Sequence, residues 1–87
     1  MYLYSIYDKK SGLMSPPFCA ENDFIARRAF FRSAGSGDLA VFPEDFDLYK
    51  VGEFNLHSGE LKGITPAEFV CSAIEFVNRS DKNDVDQ

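Results

Sequence analysis

The sequence contains few of the residues from which catalytic and metal sites are usually built. It has one histidine, His57, and two cysteines, Cys19 and Cys71, which lie far apart in the chain. The cysteines lack the spacing of a zinc site or a redox motif, and there is no glycine-rich phosphate loop or nucleophile elbow. The sequence therefore predicts no cysteine–histidine catalysis, and we expect His57 to be an exposed turn residue.

The chain also lacks a long hydrophobic segment and an excess of basic residues. No apolar run approaches the ~20 residues that span a bilayer, and the amino terminus shows no secretory signal pattern. We therefore expect a protein of the cytoplasm, whose cysteines are free thiols, buried or half-buried. The net charge of −5 argues against a general nucleic-acid-binding protein, because such proteins need excess positive charge to displace phosphate counterions.

Aromatic residues, by contrast, are abundant for a chain of this length. The 87 residues include nine phenylalanines and four tyrosines, and 45% of all residues are hydrophobic. Large rings allow a small domain to bury enough apolar surface to fold. We predict a single domain over residues 1–78, followed by a polar, frayed carboxy-terminal tail over 79–87.

The most regular pattern covers residues 44–54 and the turn that follows them. Apolar and polar side chains alternate there with a period of two, which predicts a strand with one buried face. Gly59 near the end of the turn predicts a hairpin with a left-handed residue, and a second extended run follows over 60–65. Gly52 inside the first strand indicates a bulge or a close backbone approach. We interpret this hairpin as the central pair of the sheet.

The amino-terminal half predicts two strands and a helix. Residues 2–8 are aromatic and β-branched, as is typical of a strand. The return segment contains Pro16 and Pro17, which cannot donate to a ladder, so we expect it to be short or at a sheet edge. Asn22 is a predicted N-cap, and the helix that it begins runs to about Ala34.

The last segment contains a helix-like pattern. Thr65, Pro66 and Glu68 fit a capping box with proline at the first helical position, which predicts a helix from Pro66 to about Asn78. The alternative is a brief edge strand over 69–71. The order β-β-α-β-β-α predicts an α+β fold with a mostly antiparallel sheet of about four strands and helices packed on one face.

The first predicted helix has an unusual outer face. At ~100° per residue, one arc of that helix is predicted to enter the core: Ile25, Ala26, Ala29, Phe30, Ser33 and Ala34. The opposite arc is the candidate interaction face: Phe24, Arg27, Arg28, Phe31 and Arg32. Three interpretations of this face remain open: internal packing of the rings, an interface with a second copy or another protein, and single-stranded nucleic-acid binding.

Two other groups of residues are weaker candidates. The four tyrosines suggest a stacking platform, but Tyr2 and Tyr4 alternate with Tyr7, so one set must enter the core. Five acidic residues cluster in sequence around the hairpin: Glu44, Asp45, Asp47, Glu53 and Glu60. Their spacing is not that of a calcium loop, and we expect Asp45, Asp47 and Glu53 to line a solvated or partly solvated face. We predict no catalytic residue, no metal and no cofactor.

Several peptides occur in an order that resembles a known family. They are an amino-terminal Tyr-Ser-Ile-Tyr-Asp strand, a Pro-Pro-Phe, an Asn22-Asp23 helix start, Pro43-Glu44-Asp45-Phe46-Asp47-Leu48-Tyr49, Val51-Gly52-Glu53-Phe54 and a Ser58-Gly59-Glu60 turn. Over residues 2–64 the chain resembles the small nonstructural protein of gokushovirus-type microviruses, which are single-stranded DNA phages. It departs from that family in its shorter stop at 35–37 and in Phe24, Arg27 and Phe31.

The resemblance implies a phage accessory protein that is not a capsid, pilot or replication-initiator protein. Such a protein would support single-stranded DNA genome synthesis or packaging in the host bacterial cytoplasm. The family brings no catalytic residues to this sequence, so we predict a protein that is not an enzyme and acts through protein–protein contacts as a homodimer. The first alternative is weak single-stranded DNA binding by the Arg/Phe helix face, and the second is a carboxylate- and Mg²⁺-dependent nuclease.

Overall fold

The computed structural model describes residues 1–76, which form one antiparallel sheet with helices on one of its faces. The elements are β1 (Tyr2–Asp8), β2 (Leu13–Met14), β3 (Phe18–Ala20), α1 (Asp23–Ser33), α2 (Gly37–Val41), a 3₁₀ helix (Pro43–Asp45), β4 (Phe46–Phe54) and β5 (Leu61–Ser72). The predicted α+β class is confirmed, although the sheet has five strands rather than about four. The predicted domain end at residue 78 and the tail over 79–87 lie outside the described residues.

Strand β1 lies inside the sheet and pairs along both of its edges. On one side it pairs with β4, and on the other side β2 and β3 each pair with one half of it. The two prolines lie between β2 and β3, and the return segment is short and at a sheet edge, as expected. Ser15 bridges this gap, because its backbone N–H donates to the Ile6 carbonyl over 2.8 Å and its hydroxyl accepts from the Ile6 N–H over 2.9 Å. The short edge segment therefore remains attached to β1 despite the missing donors.

The hairpin of β4 and β5 is present, but it is not the central pair of the sheet. The strand order is β2-β1-β4-β5, so β1 and β4 are central and β5 is an edge strand. Gly59 adopts the predicted left-handed conformation, with φ of 79°. The prediction of a central hairpin was wrong because β1 pairs with the side of β4 that does not face β5. This pairing joins residues about forty positions apart, so a local pattern does not contain it.

The helix predicted from Pro66 is wrong over residues 66–72, where β5 continues through Ser72, although residues 74–76 are helical. Phe69 pairs with Tyr49, and Cys71 pairs with Leu48, so this segment extends the β4 ladder. Residues 64–67 oppose the single residue Val51 and bulge away from the ladder. Strand pairing overrides the capping-box pattern, because it satisfies the same backbone groups and also gives the side chains partners on β4.

Helix α1 has the predicted boundaries but a different rotation. Asn22 caps it, and the side chain accepts a hydrogen bond from the Ile25 N–H over 3.0 Å. The buried residues are Ala26, Phe30 and Phe31, whereas Ile25 is 40% exposed. The helix is turned by roughly 70° from the predicted orientation. Ala29 and Ser33 are exposed as a result.

Phe31 explains this rotation. Its ring lies 5.9 Å from that of Phe30 and 5.7 Å from that of Phe76, centroid to centroid. Burying a second phenylalanine removes much more apolar surface from water than burying Ala29 or Ser33. The prediction that Phe31 belongs to the outer face is therefore wrong.

The core lies between α1 and one face of the sheet. Its fully buried side chains include Tyr4 on β1, Leu48 on β4, Cys71 on β5 and Phe30 on α1. Tyr2 and Ile6 pack against the same cluster, which confirms that one tyrosine set enters the core. We call the side of the sheet that carries Tyr4, Leu48 and Cys71 the helix-covered face.

Gly52 lies where β4 contains a bulge, as its position in the strand indicated. The register of β4 shifts against both of its neighbours next to this residue. A Cβ atom at Gly52 would lie 3.0 Å from the Lys62 carbonyl oxygen and 3.1 Å from Leu3 Cδ1. The close approach of β5 therefore requires a residue without a side chain.

We expect Gly52→Ala to lower the free energy of unfolding by roughly 1–3 kcal/mol, because the backbone of β5 would have to move. Gly63→Ala is the matched control, since a Cβ there would meet only Thr65 Oγ1 at 4.0 Å. Urea unfolding followed by circular dichroism measures both values. Equal stability of the two variants would contradict the close approach at Gly52.

Candidate interaction surfaces

Three of the five predicted helix residues form an exposed stripe. Phe24 is 80% exposed, and Arg28 and Arg32 are also exposed. Their spacing of four residues places them one above another on the solvent side of α1. We call Phe24, Arg28 and Arg32 the helix stripe. No ion pair to either arginine is present within residues 1–76.

The other two predicted residues take part in internal packing. The Arg27 guanidinium lies 5.3 Å from the centroid of the Phe31 ring, and its Nη2 atom lies 3.6 Å from Oε1 of Glu75. Phe31 is only 6% exposed. Arg27 therefore covers a buried ring and binds the segment after β5 to the helix. This pair fits the internal-packing interpretation, and the helix stripe leaves the other two interpretations open.

A second surface lies on the side of the sheet opposite α1. Tyr7, Tyr49 and Phe69 come from β1, β4 and β5 and form a row of rings across these strands. The Tyr7 and Tyr49 centroids are 6.1 Å apart and the Tyr49 and Phe69 centroids 5.8 Å apart, both in edge-to-face geometry. Met14 is paired opposite Tyr7 at the outer edge. We call Tyr7, Met14, Tyr49, Ala67 and Phe69 the aromatic face.

The aromatic face is open to solvent. Phe69 is 56% exposed and Met14 is 43% exposed. None of these rings belongs to the buried core cluster, whose helical members contact the helix-covered face. The alternation in β1 placed Tyr7 on the opposite side from Tyr2 and Tyr4, without deciding which side enters the core. Phe69 was missed because its segment was predicted to be helical.

Strand register removes nearly all charge from the aromatic face. Residues directly opposite each other on neighbouring strands lie on the same face. Lys50 pairs with Tyr4 and with Glu68, which places both charged residues on the helix-covered face. Glu53 and Lys62 pair with each other, and Glu53 also pairs with Tyr2, so they lie on that face too. The rings of the aromatic face are thus surrounded by uncharged side chains of β4 and β5.

Asp47 is the exception, and its location corrects a prediction. It pairs with Tyr7 at the rim of the aromatic face, but it is only 6% exposed, not solvated as expected. Its Oδ2 atom lies 3.4 Å from Nζ of Lys9, while Oδ1 has no hydrogen-bond partner in the described part of the chain. The bulge near Val51 places Glu53 on the opposite face from Asp47, so their even spacing was misleading.

The aromatic face contains only a shallow groove. Tyr7, Met14, Tyr49 and Ala67 line about 170 Å³ of space with almost no polar surface. Pockets for drug-sized ligands usually enclose ~300–1,000 Å³ and present several polar groups. The shape and chemistry of this groove fit a docking surface for a macromolecule better than a site for a small molecule.

A polar cluster attaches α1 to the helix-covered face. The buried Tyr4 hydroxyl donates to Oδ1 of Asp23 over 2.6 Å, and Nζ of Lys50 lies 3.1 Å from the same oxygen. Lys50 also lies 4.4 Å from the centroid of the Tyr2 ring. The hydrogen bond from Tyr4 lowers the pKa of Asp23; desolvation opposes this, and Lys50 adds to it. Desolvation is the largest single influence on the pKa of Lys50 and lowers it, but the hydrogen bond and charge of Asp23, together with the charge of Glu68, outweigh desolvation and raise the pKa.

These shifts predict a stability difference that depends on pH. A carboxylate with a lowered pKa stabilises the fold above its ordinary pKa of 3.8, and this stabilisation is lost as pH falls through the folded-state value. We expect Tyr4→Phe to cost about 1 kcal/mol near neutral pH, a low value for a charged hydrogen bond because Asp23 is half exposed. The cost should shrink in acid as Asp23 is protonated.

Urea unfolding of wild type and Tyr4→Phe at a series of pH values from neutral to strongly acidic measures this difference. Tyr7→Phe is the control, because its hydroxyl lies on the aromatic face, away from Asp23. A cost of Tyr4→Phe that stays constant across this range would show that the bond to Asp23 does not couple stability to pH.

The sparse catalytic residue types do not come together. Cys71 is fully buried on the helix-covered face of β5, and burial raises its pKa to about 11, so it is a protonated thiol at neutral pH. Cys19 is exposed, which corrects the expectation that both thiols are at least half-buried. His57 is exposed in the hairpin turn as predicted, and its backbone N–H donates to Oδ1 of Asn55 over 2.8 Å.

Within residues 1–76, no group of three or more histidine, cysteine, aspartate or glutamate side chains is arranged to hold a metal ion. None of the helices in this range has the length and hydropathy needed to span a bilayer.

Comparison with known proteins gives one match. The family model described as "Phage ORF5 protein" matches residues 1–76, which include both the helix stripe and the aromatic face. No curated protein and no solved structure gives a significant match. Because the family model covers most of the chain, the chain belongs to the phage ORF5 protein family.

Proposed function

We propose that the chain is a nonstructural accessory protein of a gokushovirus-type single-stranded DNA phage. It acts in the host bacterial cytoplasm through protein–protein contacts, as a homodimer and without catalysis. The observation that carries this proposal is the aromatic face, where the rings of Tyr7, Tyr49 and Phe69 contact one another and Phe69 is 56% exposed. Exposed apolar patches of this kind mark interaction sites in soluble proteins.

The chemistry of the remaining groups supports a role without catalysis. A nucleophilic cysteine needs a thiolate and a general base within hydrogen-bond reach. Cys71 is held protonated by burial, and His57 lies in a solvent-exposed turn at the far end of the hairpin. The acidic cluster is divided between the two faces of the sheet, which disfavours a two-metal site because its carboxylates must converge on neighbouring ions.

We propose that these protein–protein contacts act in single-stranded genome synthesis or packaging. An infection experiment tests this role. The comparison uses a phage whose gene is interrupted by a stop codon, the same phage complemented by wild-type protein, and the phage complemented by Phe69→Glu. We expect loss of the protein to abolish single-stranded genomes in particles while the duplex replicative form still accumulates. Phe69→Glu should fail to complement. Equal loss of both DNA forms, or loss of neither, would contradict this role.

The helix stripe supports a second candidate function, weak binding of single-stranded DNA. Phe24 offers an exposed ring for stacking, and Arg28 and Arg32 continue the same line of the helix with cationic groups. Base stacking on an aromatic side chain contributes ~1–3 kcal/mol, and guanidinium groups bind phosphates. The stripe contains two of the three predicted arginines, because Arg27 is engaged by Glu75.

Titration with a fluorescent oligonucleotide at low salt tests this second candidate. Two phosphate contacts predict a slope of about −1.4 for log affinity against log salt concentration, at ~0.7 per contact on single strands. The Arg28→Ala/Arg32→Ala variant should lose binding. Lys10→Ala/Lys62→Ala removes the same charge elsewhere and should retain it. Equal loss in both variants, or no binding by wild type, would exclude a specific site on the stripe.

A further inference from the structure

We propose that two copies of this chain associate by packing their aromatic faces together, so that the dimer is a sandwich of two sheets with the helices outside. This inference rests on the homodimer in the proposed function and assigns its interface. The juxtaposition that carries it is the row of Tyr7, Tyr49 and Phe69, flanked by Met14, on a sheet face where strand register leaves Asp47 as the one charged side chain of β4 and β5.

Charge favours a second copy over a nucleic acid at this face. The chain has a net charge of −5, so two copies repel each other wherever their acidic surfaces meet. On β4 and β5, the charged residues Lys50, Glu53, Lys62 and Glu68 all lie on the helix-covered face. Asp47, at the rim of the aromatic face, is paired with Lys9. The aromatic face has no row of cations that could bind the phosphates of a polynucleotide. The same face of another copy is equally poor in charge, so two such faces do not repel each other.

The sheet edge is a poorer route to a dimer. β5 forms one edge of the sheet, but residues 64–67 bulge out of its ladder and Pro66 has no N–H to donate. The opposite edge consists of the short strands β2 and β3, which are separated by two prolines. A second β5 laid alongside would lose regular pairing in the middle of the strand. The flat face beside this edge has no such interruption at Tyr7, Tyr49 and Phe69, since Tyr49 is paired directly with Phe69.

The size of the face is sufficient for a weak dimer. Four strands spaced ~4.8 Å apart, with seven residues at ~3.3 Å each, cover roughly 400 Å² in projection. The same side of the sheet also carries Leu3, Phe54 and Leu61. Leu3 pairs with Gly52 on β4, and Phe54, two residues after Gly52, pairs with Leu61 on β5. Standard interfaces bury ~800 Å² per partner. A face of about half that area predicts a weak, transient dimer, with a Kd in the micromolar range or above.

The contact is self-complementary, as a twofold dimer requires. The same residues occupy both sides, and two sheets stack with their strands within ~30° and their planes ~10 Å apart. The helix stripe of each copy then lies on an outer surface of the sandwich. Phe24, Arg28 and Arg32 therefore remain accessible in the dimer, on both of its sides.

Sedimentation velocity from low micromolar to near-millimolar protein tests the inference. Phe69→Glu places a charge on the aromatic face, and Phe24→Glu makes the same change on the helix stripe, where the ring is 80% exposed. We expect wild type and Phe24→Glu to form dimers with the same Kd, and Phe69→Glu to weaken the dimer by at least about thirtyfold. Met14→Glu, at an exposed edge position, serves as a second variant, and circular dichroism confirms that each variant is folded.

Several results would overturn the inference. A wild-type protein that remains monomeric at the highest concentration excludes a dimer, and a dimer unaffected by Phe69→Glu and Met14→Glu uses another surface. Equal weakening by Phe24→Glu also excludes the aromatic face as the specific contact. If wild type is monomeric and Phe69→Glu still fails to complement the phage, another partner binds this face. The contact-based function then stands while the face-to-face dimer is rejected.

Discussion

Phe31→Ala is expected to lower the free energy of unfolding by about 3–5 kcal/mol, the usual cost of deleting a buried phenylalanine. Phe31 is 6% exposed, and its ring contacts those of Phe30 and Phe76. Its removal leaves a cavity between α1 and the segment after β5, and it also removes the ring over which Arg27 lies. Small domains are stable by only ~5–15 kcal/mol in total, so this variant should be close to unfolding.

Phe24→Ala on the same helix is the matched control for this change. Its ring is 80% exposed, and substitutions on an open surface usually change stability by less than about 0.5 kcal/mol. Urea unfolding followed by far-ultraviolet circular dichroism gives both values. Similar losses in the two variants, or a larger loss for Phe24→Ala, would show that the helix is rotated differently from the arrangement described above.

Leu48→Ala should cost about 2–5 kcal/mol by the same measurement. Leu48 is fully buried on the central strand β4, where it pairs with Ile6 on β1 and with Cys71 on β5. It therefore lies in the middle of the helix-covered face, and the neighbouring backbone can close little of the space that it leaves.

Leu56→Ala provides the control for Leu48, because Leu56 lies in the hairpin turn and is 66% exposed. This substitution should change stability by less than about 0.5 kcal/mol. A small effect of Leu48→Ala would contradict the assignment of β4 to the centre of the sheet. The comparison also tests face assignment, since Tyr49, the next residue, lies on the aromatic face.

The amino-acid sequence by itself determined the features that depend on near neighbours. Asn22 caps α1 because its side-chain oxygen reaches the N–H of Ile25 three residues later. Gly59 closes the hairpin because only glycine readily adopts its positive φ. The alternation in β1 correctly divided Tyr4 from Tyr7. In each case, the residues that fix the structure lie within a few positions of one another.

The candidate interaction residues were only partly predictable in the same way. Phe24, Arg28 and Arg32 are exposed as the helical periodicity predicted. Phe31 is buried, because helical periodicity gives the relative positions of side chains but not the direction in which the helix faces its sheet. That direction was decided by Phe76, a ring forty-five residues away in sequence.

Only the tertiary structure decided the path of β5 and the aromatic face. Residues 66–72 contain local signals for a helix, but β4 offers a complete ladder and ring partners for Phe69. The bulge at Gly52 then reverses which residues share a face, so that Glu53 lies on the opposite side from Asp47. Strand pairing and register are long-range choices made by whichever arrangement satisfies most backbone groups and buries most apolar surface. A local sequence pattern therefore cannot contain them.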